Sequence, residues 1–308
     1  EDRYGFSLSQ DFFSPEEKIS NEKNEALQAP FTEEEVREAI FGSYSDGAPG
    51  PDGLSFIFLQ EFWVVIKNDV MAMFRDFHSG NLDIYRLNFA MITLVPKEQE
   101  ASNMKKFRPI SLLNCIFKVF TKVLTNRLAK LMNFLTSSNQ SAFIKGRYIL
   151  ESVVTAHEVL HSTVHSGNAG LVIKLDYEKA FDKVNLDFLL DILHKRNFGP
   201  VWIKWIHQIT HMGSVGVKVN GVESAFFVTN KELRQGDPIP PLLFNLVVDV
   251  LTRMLIKATS HNLIKGLCSD LIPGGVICLQ YADDTIIFID KYESKVANLK
   301  MILTCFER

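Results

Sequence analysis

Two adjacent carboxylates inside an apolar run constrain this chain more than any other feature. Asp283 and Asp284 follow Tyr281-Ala282, with Val276-Ile277-Cys278-Leu279-Gln280 before them and Thr285-Ile286-Ile287-Phe288-Ile289 after. Flanks so rich in β-branched and apolar residues read as two buried strands, so the pair should project from a rigid hairpin. Adjacent acids repel, and at a buried turn they would be protonated unless a cation held them. Hard oxygen ligands suit a divalent ion such as Mg2+. Alone, an Asp-Asp pair is also an ordinary solvated turn, so it needs company to mean chemistry.

A second acidic strand end supplies that company. Leu171-Val172-Ile173-Lys174-Leu175 is a short apolar strand that delivers Asp176 at its tip. Three carboxylates from two strands can hold two ions roughly 3.5–4 Å apart, the clamp used for in-line phosphoryl displacement. The charge distribution agrees with a polyanionic partner. The net charge is −3, but residues 86–147 carry eleven Lys and Arg against two Glu, while residues 1–46 carry twelve acids against four bases. A basic middle behind an acidic leader fits a polyanion-binding groove with a charged linker. The competing reading is a solvated helix face.

Cys115, Cys268, Cys278 and Cys305 lack CxxC spacing, which indicates neither a zinc site nor a disulfide framework and points to a reducing compartment. No apolar run has transmembrane length and no secretory leader is evident, so the expected location is intracellular, nuclear or cytoplasmic. The chain begins at Glu1 rather than Met and reads as a piece of something longer.

Along the chain, residues 1–30 are polar and acidic and read as the end of a linker. Thr32 with Glu35 forms a capping box for the first definite helix, with Phe31 and Val36 at the staple positions. Gly47-Ala48-Pro49-Gly50-Pro51-Asp52-Gly53 is a rigid multi-turn loop. Asn88 to Val95 reads as a strand, and Ser111 as a cap for a long helix with apolar spacing from Leu113 through Leu135. Ile149 to His165 reads as a helix carrying His157, His161 and His165 on one face, a stripe better read as structural or solvent-exposed than as a ligand set. Asn220-Gly221 favours a type I′ hairpin turn. An apolar helix follows from Leu242 to about Ala258, and another carries Val296, Leu299, Leu303 and Phe306.

Several blocks appear in an order that resembles the reverse transcriptases of non-LTR, LINE-type retrotransposons, with wording closest to plant elements. They are Ala48-Pro49-Gly50-Pro51-Asp52-Gly53, Phe107-Arg108-Pro109-Ile110-Ser111-Leu112, Gln140-Ser141-Ala142-Phe143, Lys174-Leu175-Asp176 with Lys179-Ala180-Phe181-Asp182, Leu233-Arg234-Gln235-Gly236-Asp237-Pro238, and Tyr281-Ala282-Asp283-Asp284. The resemblance covers nearly everything after residue 31. It implies an α/β (α+β) fold: a right-hand polymerase palm with a ferredoxin-like antiparallel sheet, plus helical fingers and no thumb. The organisation it implies is an acidic linker and first helix over 1–45, an N-terminal extension of the fingers over 46–87, and incomplete fingers and palm over 88–308.

The resemblance further implies that Asp176, Asp283 and Asp284 are catalytic and ligate two Mg2+ ions, with Mn2+ as a substitute. Lys97 and Arg108 would grip the incoming triphosphate, Gln235 and Gly236 would line the nucleotide pocket, and Phe181 would exclude a 2′-hydroxyl. Tyr281 and Ala282 would pack beneath the primer end. Expected partners are an RNA template, a DNA primer and deoxynucleoside triphosphates, with no membrane and with an endonuclease domain elsewhere in the same polyprotein. The alternative is an inactive relic that at most binds RNA. Departures from the pattern feed that alternative. Glu232 stands where Gly is usual, at a cost of roughly 1–3 kcal/mol if that Gly uses positive φ. Pro240 stands where Ser is usual, at about 1 kcal/mol if that Ser caps a helix. Gly47, Lys145 and Leu186 replace a common Lys, Pro and Trp.

Overall fold

The computed structural model describes residues 7–167, 169–211, 213–219, 222–229 and 233–307. In chain order its helices and strands are α1 (Asn21–Gln28), α2 (Glu33–Phe41), α3 (Phe56–Glu61), α4 (Trp63–Ser79), β1 (Phe89–Pro96), β2 (Phe107–Leu113), α5 (Cys115–Ala129), α6 (Met132–Leu135), α7 (Ile149–His165), β3 (Gly170–Leu175) and α8 (Leu186–Lys195). There follow α9 (Pro200–His211), β4 (Ser214–Val219), β5 (Val222–Glu223), β6 (Phe227–Val228), α10 (Pro240–Ser260), β7 (Cys278–Tyr281), β8 (Asp284–Asp290) and α11 (Glu293–Glu307). They form two compact units, one built on Ala129–Ala180 and Pro241–Arg308, the other on Leu8–Leu128 and Phe181–Pro240.

The first unit holds a three-stranded antiparallel sheet in the order β3-β8-β7. Its central strand is apolar over Ile286-Ile287-Phe288-Ile289 because both faces are covered there. Ile287 and Ile289 face a cluster with Leu251 and Leu255 of α10 and Leu299 of α11, while Phe288 faces Val159 of α7 and Leu267. Alternation along β8 thus serves two cores at once.

The second unit holds a mixed sheet, β2-β1-β4-β5, with β6 also on β4; β1 runs antiparallel to β2 and parallel to β4. Its helical core is aromatic. Phe74 stacks on Phe120 at 4.1 Å and Phe77 on Trp205 at 5.5 Å, and Phe31 joins Phe74 and Trp205 edge-on or tilted at 5.1 Å. Arg127 closes it, lying 4.3 Å over the Phe31 ring and donating to both Glu35 carboxylate oxygens and to the carbonyls of Leu27, Ala29 and Pro30. Arg127 is buried while Glu35 is partly exposed, so removing Glu35 leaves a buried guanidinium short of its counter-charge and destabilises the fold.

Several expectations change. The described part of the acidic leader is not a free linker: Phe13, Ile19 and Leu27 are buried, Arg196 lies 4.1 Å over Phe13, and Asn24 bonds the backbone at Asn197 and Gly199. Sparse apolar residues suffice there because Phe13, Ile19 and Leu27 are all placed in the core. Ser111 caps no helix, since it lies within β2; α5 begins at Cys115 and draws its cap from far away. Asp52 Oδ2 accepts from the Cys115 amide at 2.7 Å, while Asn114 Oδ1 accepts from the Asp52 amide at 3.1 Å. The Gly50 turn lies so close to the Leu113 carbonyl that a Cβ there would overlap it. The Pro- and Gly-rich loop is therefore a remote N-cap for α5. Pro240 loses no cap either: it is the first residue of α10, where a missing amide hydrogen is harmless. The Thr32 capping box forms as expected, with Glu35 N to Thr32 Oγ1 at 3.2 Å and Thr32 N to Glu35 Oε2 at 3.2 Å. Val219 pairs with Val222, as a two-residue hairpin requires, but Asn220-Gly221 and Glu232 lie outside the described residues.

Candidate active site

The register of the first unit brings the three acidic positions to one end of its sheet. Leu175 pairs with Thr285 and Tyr281 pairs with Asp284, so Asp176 follows its strand just where the β7–β8 hairpin turns. Asp176, Asp283 and Asp284 are all exposed, contrary to the expectation of a buried turn. Their counter-charge comes from the protein itself. Lys174 Nζ lies 3.0 Å from Asp284 Oδ1, and that bond, followed by the charges of Asp284, Asp176 and Asp283, raises the Lys174 pKa. A lysine two residues before Asp176 was visible in the strand, but nothing in the sequence said where its ammonium would go.

Hard oxygen donors on rigid strand ends, gathered about one cation, are the right chemistry for Mg2+ or Mn2+. Among the described residues, however, no three carboxylate, imidazole or thiolate groups stand close enough to cage an ion as they are. The donors fit; binding requires that Lys174 release Asp284 and that the exposed side chains rotate together.

The hairpin turn is held in an unusual conformation. Ala282 has φ +54°, a left-handed value that hairpins usually give to glycine and that costs a Cβ-bearing residue about 1–2 kcal/mol. Ala282 is 7% exposed, whereas Tyr281 beside it is 40% exposed. His157, His161 and His165 lie on the exposed side of α7, with the last two rings stacked at 6.0 Å.

The remaining expected site residues belong to the second unit. Lys97 and Arg108 are exposed at the same end of the β1–β2 hairpin, where Val95 pairs with Arg108 and the Lys97 amide bonds the Lys106 carbonyl at 2.8 Å. Pro109 is tolerated because β2 is an edge strand. The loop Arg234-Gln235-Gly236-Asp237 packs against β2, its Gln235 carbonyl accepting from the Ser111 amide at 2.8 Å. Gly236, at φ +109°, lies so near the Ser111 carbonyl that a Cβ would sit 2.7 Å from it. Its need for glycine is thus already explained by the strand beneath. The Phe181 carbonyl accepts from the Leu233 amide at 2.9 Å, and Gln235 Nε2 donates to Asp182 Oδ1 at 3.4 Å, so Phe181, Gln235 and Gly236 form one connected segment.

Arg234 and Asp237, on which no role had been placed, anchor that segment. Both are buried; Arg234 bonds Asn88 Oδ1 and the Ile209 carbonyl and lies 5.2 Å over Phe117, and Ile239 donates to Asp237 Oδ1 at 3.3 Å. Burial pushes the Asp237 carboxyl above the usual range, while Arg234 and Thr121 oppose the shift. The charged residues of this block point inward as anchors, and the small and neutral ones are left at its surface.

Comparison with known proteins places the chain. Residues 95–308 match the family model for "Reverse transcriptase (RNA-dependent DNA polymerase)". Relatives include the "Transposon TX1 uncharacterized 149 kDa protein" of Xenopus laevis, 28% identical over 87% of this chain and 20% of that protein. Another is the "Retrovirus-related Pol polyprotein from type-2 retrotransposable element R2DM" of Drosophila melanogaster, 25% identical over 86% of this chain and 24% of that protein. The chain thus spans a fifth to a quarter of the length of these relatives. Among solved structures, apo telomerase from Candida tropicalis, truncated from its C-terminal domain, is similar with TM-score 0.48 and 14% identity, over 71% of this chain and 47% of that one. Among the described residues no helix is long and apolar enough to cross a membrane.

Proposed function

The chain belongs to the reverse transcriptase family, in its non-LTR, LINE-type branch, and from that premise we propose that it carries the palm and fingers of an RNA-directed DNA polymerase. The reaction is attack of a primer 3′-hydroxyl on the α-phosphate of a deoxynucleoside triphosphate, templated by RNA. The observation that carries this reading is the strand register that brings Asp176, Asp283 and Asp284 to one end of an antiparallel sheet, where Lys174 pairs with Asp284. Divalent ions, which the family generally uses, would lower the pKa of the attacking hydroxyl and neutralise phosphate charge when bound. Asp176 and Asp283 would hold them, with Asp284 completing the acidic set once freed from Lys174.

The chain's own residues supply positioning. Arg108 offers a planar fork and Lys97 a point charge for the triphosphate, both exposed and free of the buried networks that occupy Arg127 and Arg234. Phe181, tied through Leu233 to the Gln235-Gly236 loop, is the bulky group offered against a 2′-hydroxyl, and Tyr281 packs at the primer end. In this reading residues 46–87 extend the fingers, and an endonuclease belongs to the same polyprotein.

Primer extension on poly(rA)/oligo(dT) with Mg2+ tests the reading, comparing the chain with Asp283→Ala. Extension by the parent and its loss in the variant is the expected result. Equal, background-level signal from both would replace the polymerase by a folded relic that at most binds RNA.

A further inference from the structure

One segment of the first unit, Asn133–Arg147, runs along the outer edge of the acidic hairpin without any role in the reading above. Its backbone continues the sheet: the Gln280 amide donates to the Asn139 carbonyl at 2.8 Å, and the Ser141 amide donates to the Gln280 carbonyl at 3.1 Å. Asn139 Nδ2 adds a bond to the Cys278 carbonyl at 2.7 Å. The segment is itself clamped. Arg147 donates to the carbonyls of Gln140 at 2.7 Å, Thr136 at 3.1 Å and Asn133 at 3.2 Å, and also to that of Ser137, while Asn245 Nδ2 holds the Ala142 carbonyl at 2.7 Å.

From this rigid edge the Gln140 side chain, fully buried, reaches the turn. Its Oε1 accepts from the Ala282 amide at 3.0 Å and from the Ala142 amide at 2.9 Å, and its Nε2 donates to the Ala282 carbonyl at 3.4 Å. One carboxamide therefore pairs both polar groups of the Ala282 backbone, as a further strand residue would. A second amide steadies the strand beside it, Gln280 Oε1 accepting from Thr252 Oγ1 at 2.7 Å. Buried backbone groups must be paired, and rotating Ala282 to an ordinary φ would swing its carbonyl relative to its amide, so that one carboxamide could no longer pair both.

We propose that Gln140 is the positioning residue of the acidic hairpin: its carboxamide locks Ala282 in the left-handed conformation that aims Asp283 and Asp284 together from the sheet end. The catalytic consequence rests on the polymerase reading; the lock itself does not. Ala at a position that hairpins give to glycine then has a reason, because the conformational preference has been moved from residue 282 to its partner at 140.

Amide hydrogen exchange on the metal-free chain is the first arm of the test. The Ala282 amide should exchange at least a hundredfold slower than the Asp283 amide at the same turn; equal rates would overturn the lock without any variant. The second arm compares Gln140→Leu, Ala282→Gly and the double variant by exchange over residues 280–285 and by Mn2+ titration followed by electron paramagnetic resonance. Gln140→Leu should speed exchange and weaken Mn2+ binding about tenfold, and Ala282→Gly should recover much of that loss, since glycine adopts the turn unaided. A purely packing role for Gln140 predicts the reverse, a deeper loss in the double variant, and that result would refute the proposal. The exchange arm needs no metal, so it judges Gln140 even if the parent chain binds no Mn2+, the outcome that would count against the polymerase reading instead.

Discussion

An ammonium group 3.0 Å from Asp284 must leave before a divalent ion can take that oxygen. In the polymerase reading Lys174 would compete with a divalent ion for that oxygen, and only weakly because the pair is solvent-exposed. Lys174→Met should tighten Mn2+ binding by up to about fivefold in an electron paramagnetic resonance titration; weaker binding would mean that the lysine organises the carboxylates instead. A second residue-scale effect concerns acid. His211 stacks on His207 at 4.4 Å, and burial first, then His207, lower its pKa from 6.5 against the pull of Asp187. A depressed native pKa means that the unfolded chain takes the proton more readily, so this contribution is whole above 6.5 and is lost as pH falls through the native value. Solvent screening keeps it to about a few tenths of a kcal/mol. His211→Gln should lose less stability than the parent between roughly pH 7.5 and pH 5 in urea melts, and an identical loss in both would show that His211 does not titrate against folding.

At the scale of elements, the cap of α5 is the most exposed to test. Asp52→Ala removes the acceptor for the Cys115 amide and should cost about 1–2 kcal/mol by urea unfolding. A neutral result would mean that water replaces the carboxylate. This contact also marks the limit of what a sequence discloses. The acidic hairpin, α7 from Ile149 to His165 and the Thr32 capping box were legible because each is written in residues close along the chain, as alternation, helical spacing or an N-cap offset. Ser111 was misplaced because the true cap of α5 comes from Asp52, sixty-three positions away, and Arg127, Arg234 and Gln140 were invisible as anchors for the same reason. Arginine and glutamine are ordinary surface residues until the fold buries them. That Asp176, Asp283 and Asp284 would stand at the ends of neighbouring strands was readable, but the lysine among them and the amide behind them were not.

Across the whole molecule, the basic stretch seen in the sequence divides into two populations. Arg127 and Arg147 are spent on carbonyls and carboxylates of their own units, and Lys106 is paired with Glu98 at 2.5 Å, whereas Lys97 and Arg108 stand exposed at one end of the β1–β2 hairpin. Counting charge along the chain therefore overstates what a polyanion meets. Only exposed cations release counterions from a nucleic acid, and each phosphate contact contributes about 0.7 to the slope of log affinity against log salt for a single strand. The Lys97→Gln/Arg108→Gln double variant should bind a single-stranded RNA oligonucleotide more weakly and with a slope shallower by roughly 1.4 in fluorescence anisotropy across a salt series. Arg127→Gln should instead lower the unfolding midpoint and leave the slope unchanged, since its charge faces Glu35 and the Phe31 ring rather than solvent. A slope that falls with Arg127→Gln but not with the double variant would reverse the assignment and place the RNA on a different face of the protein.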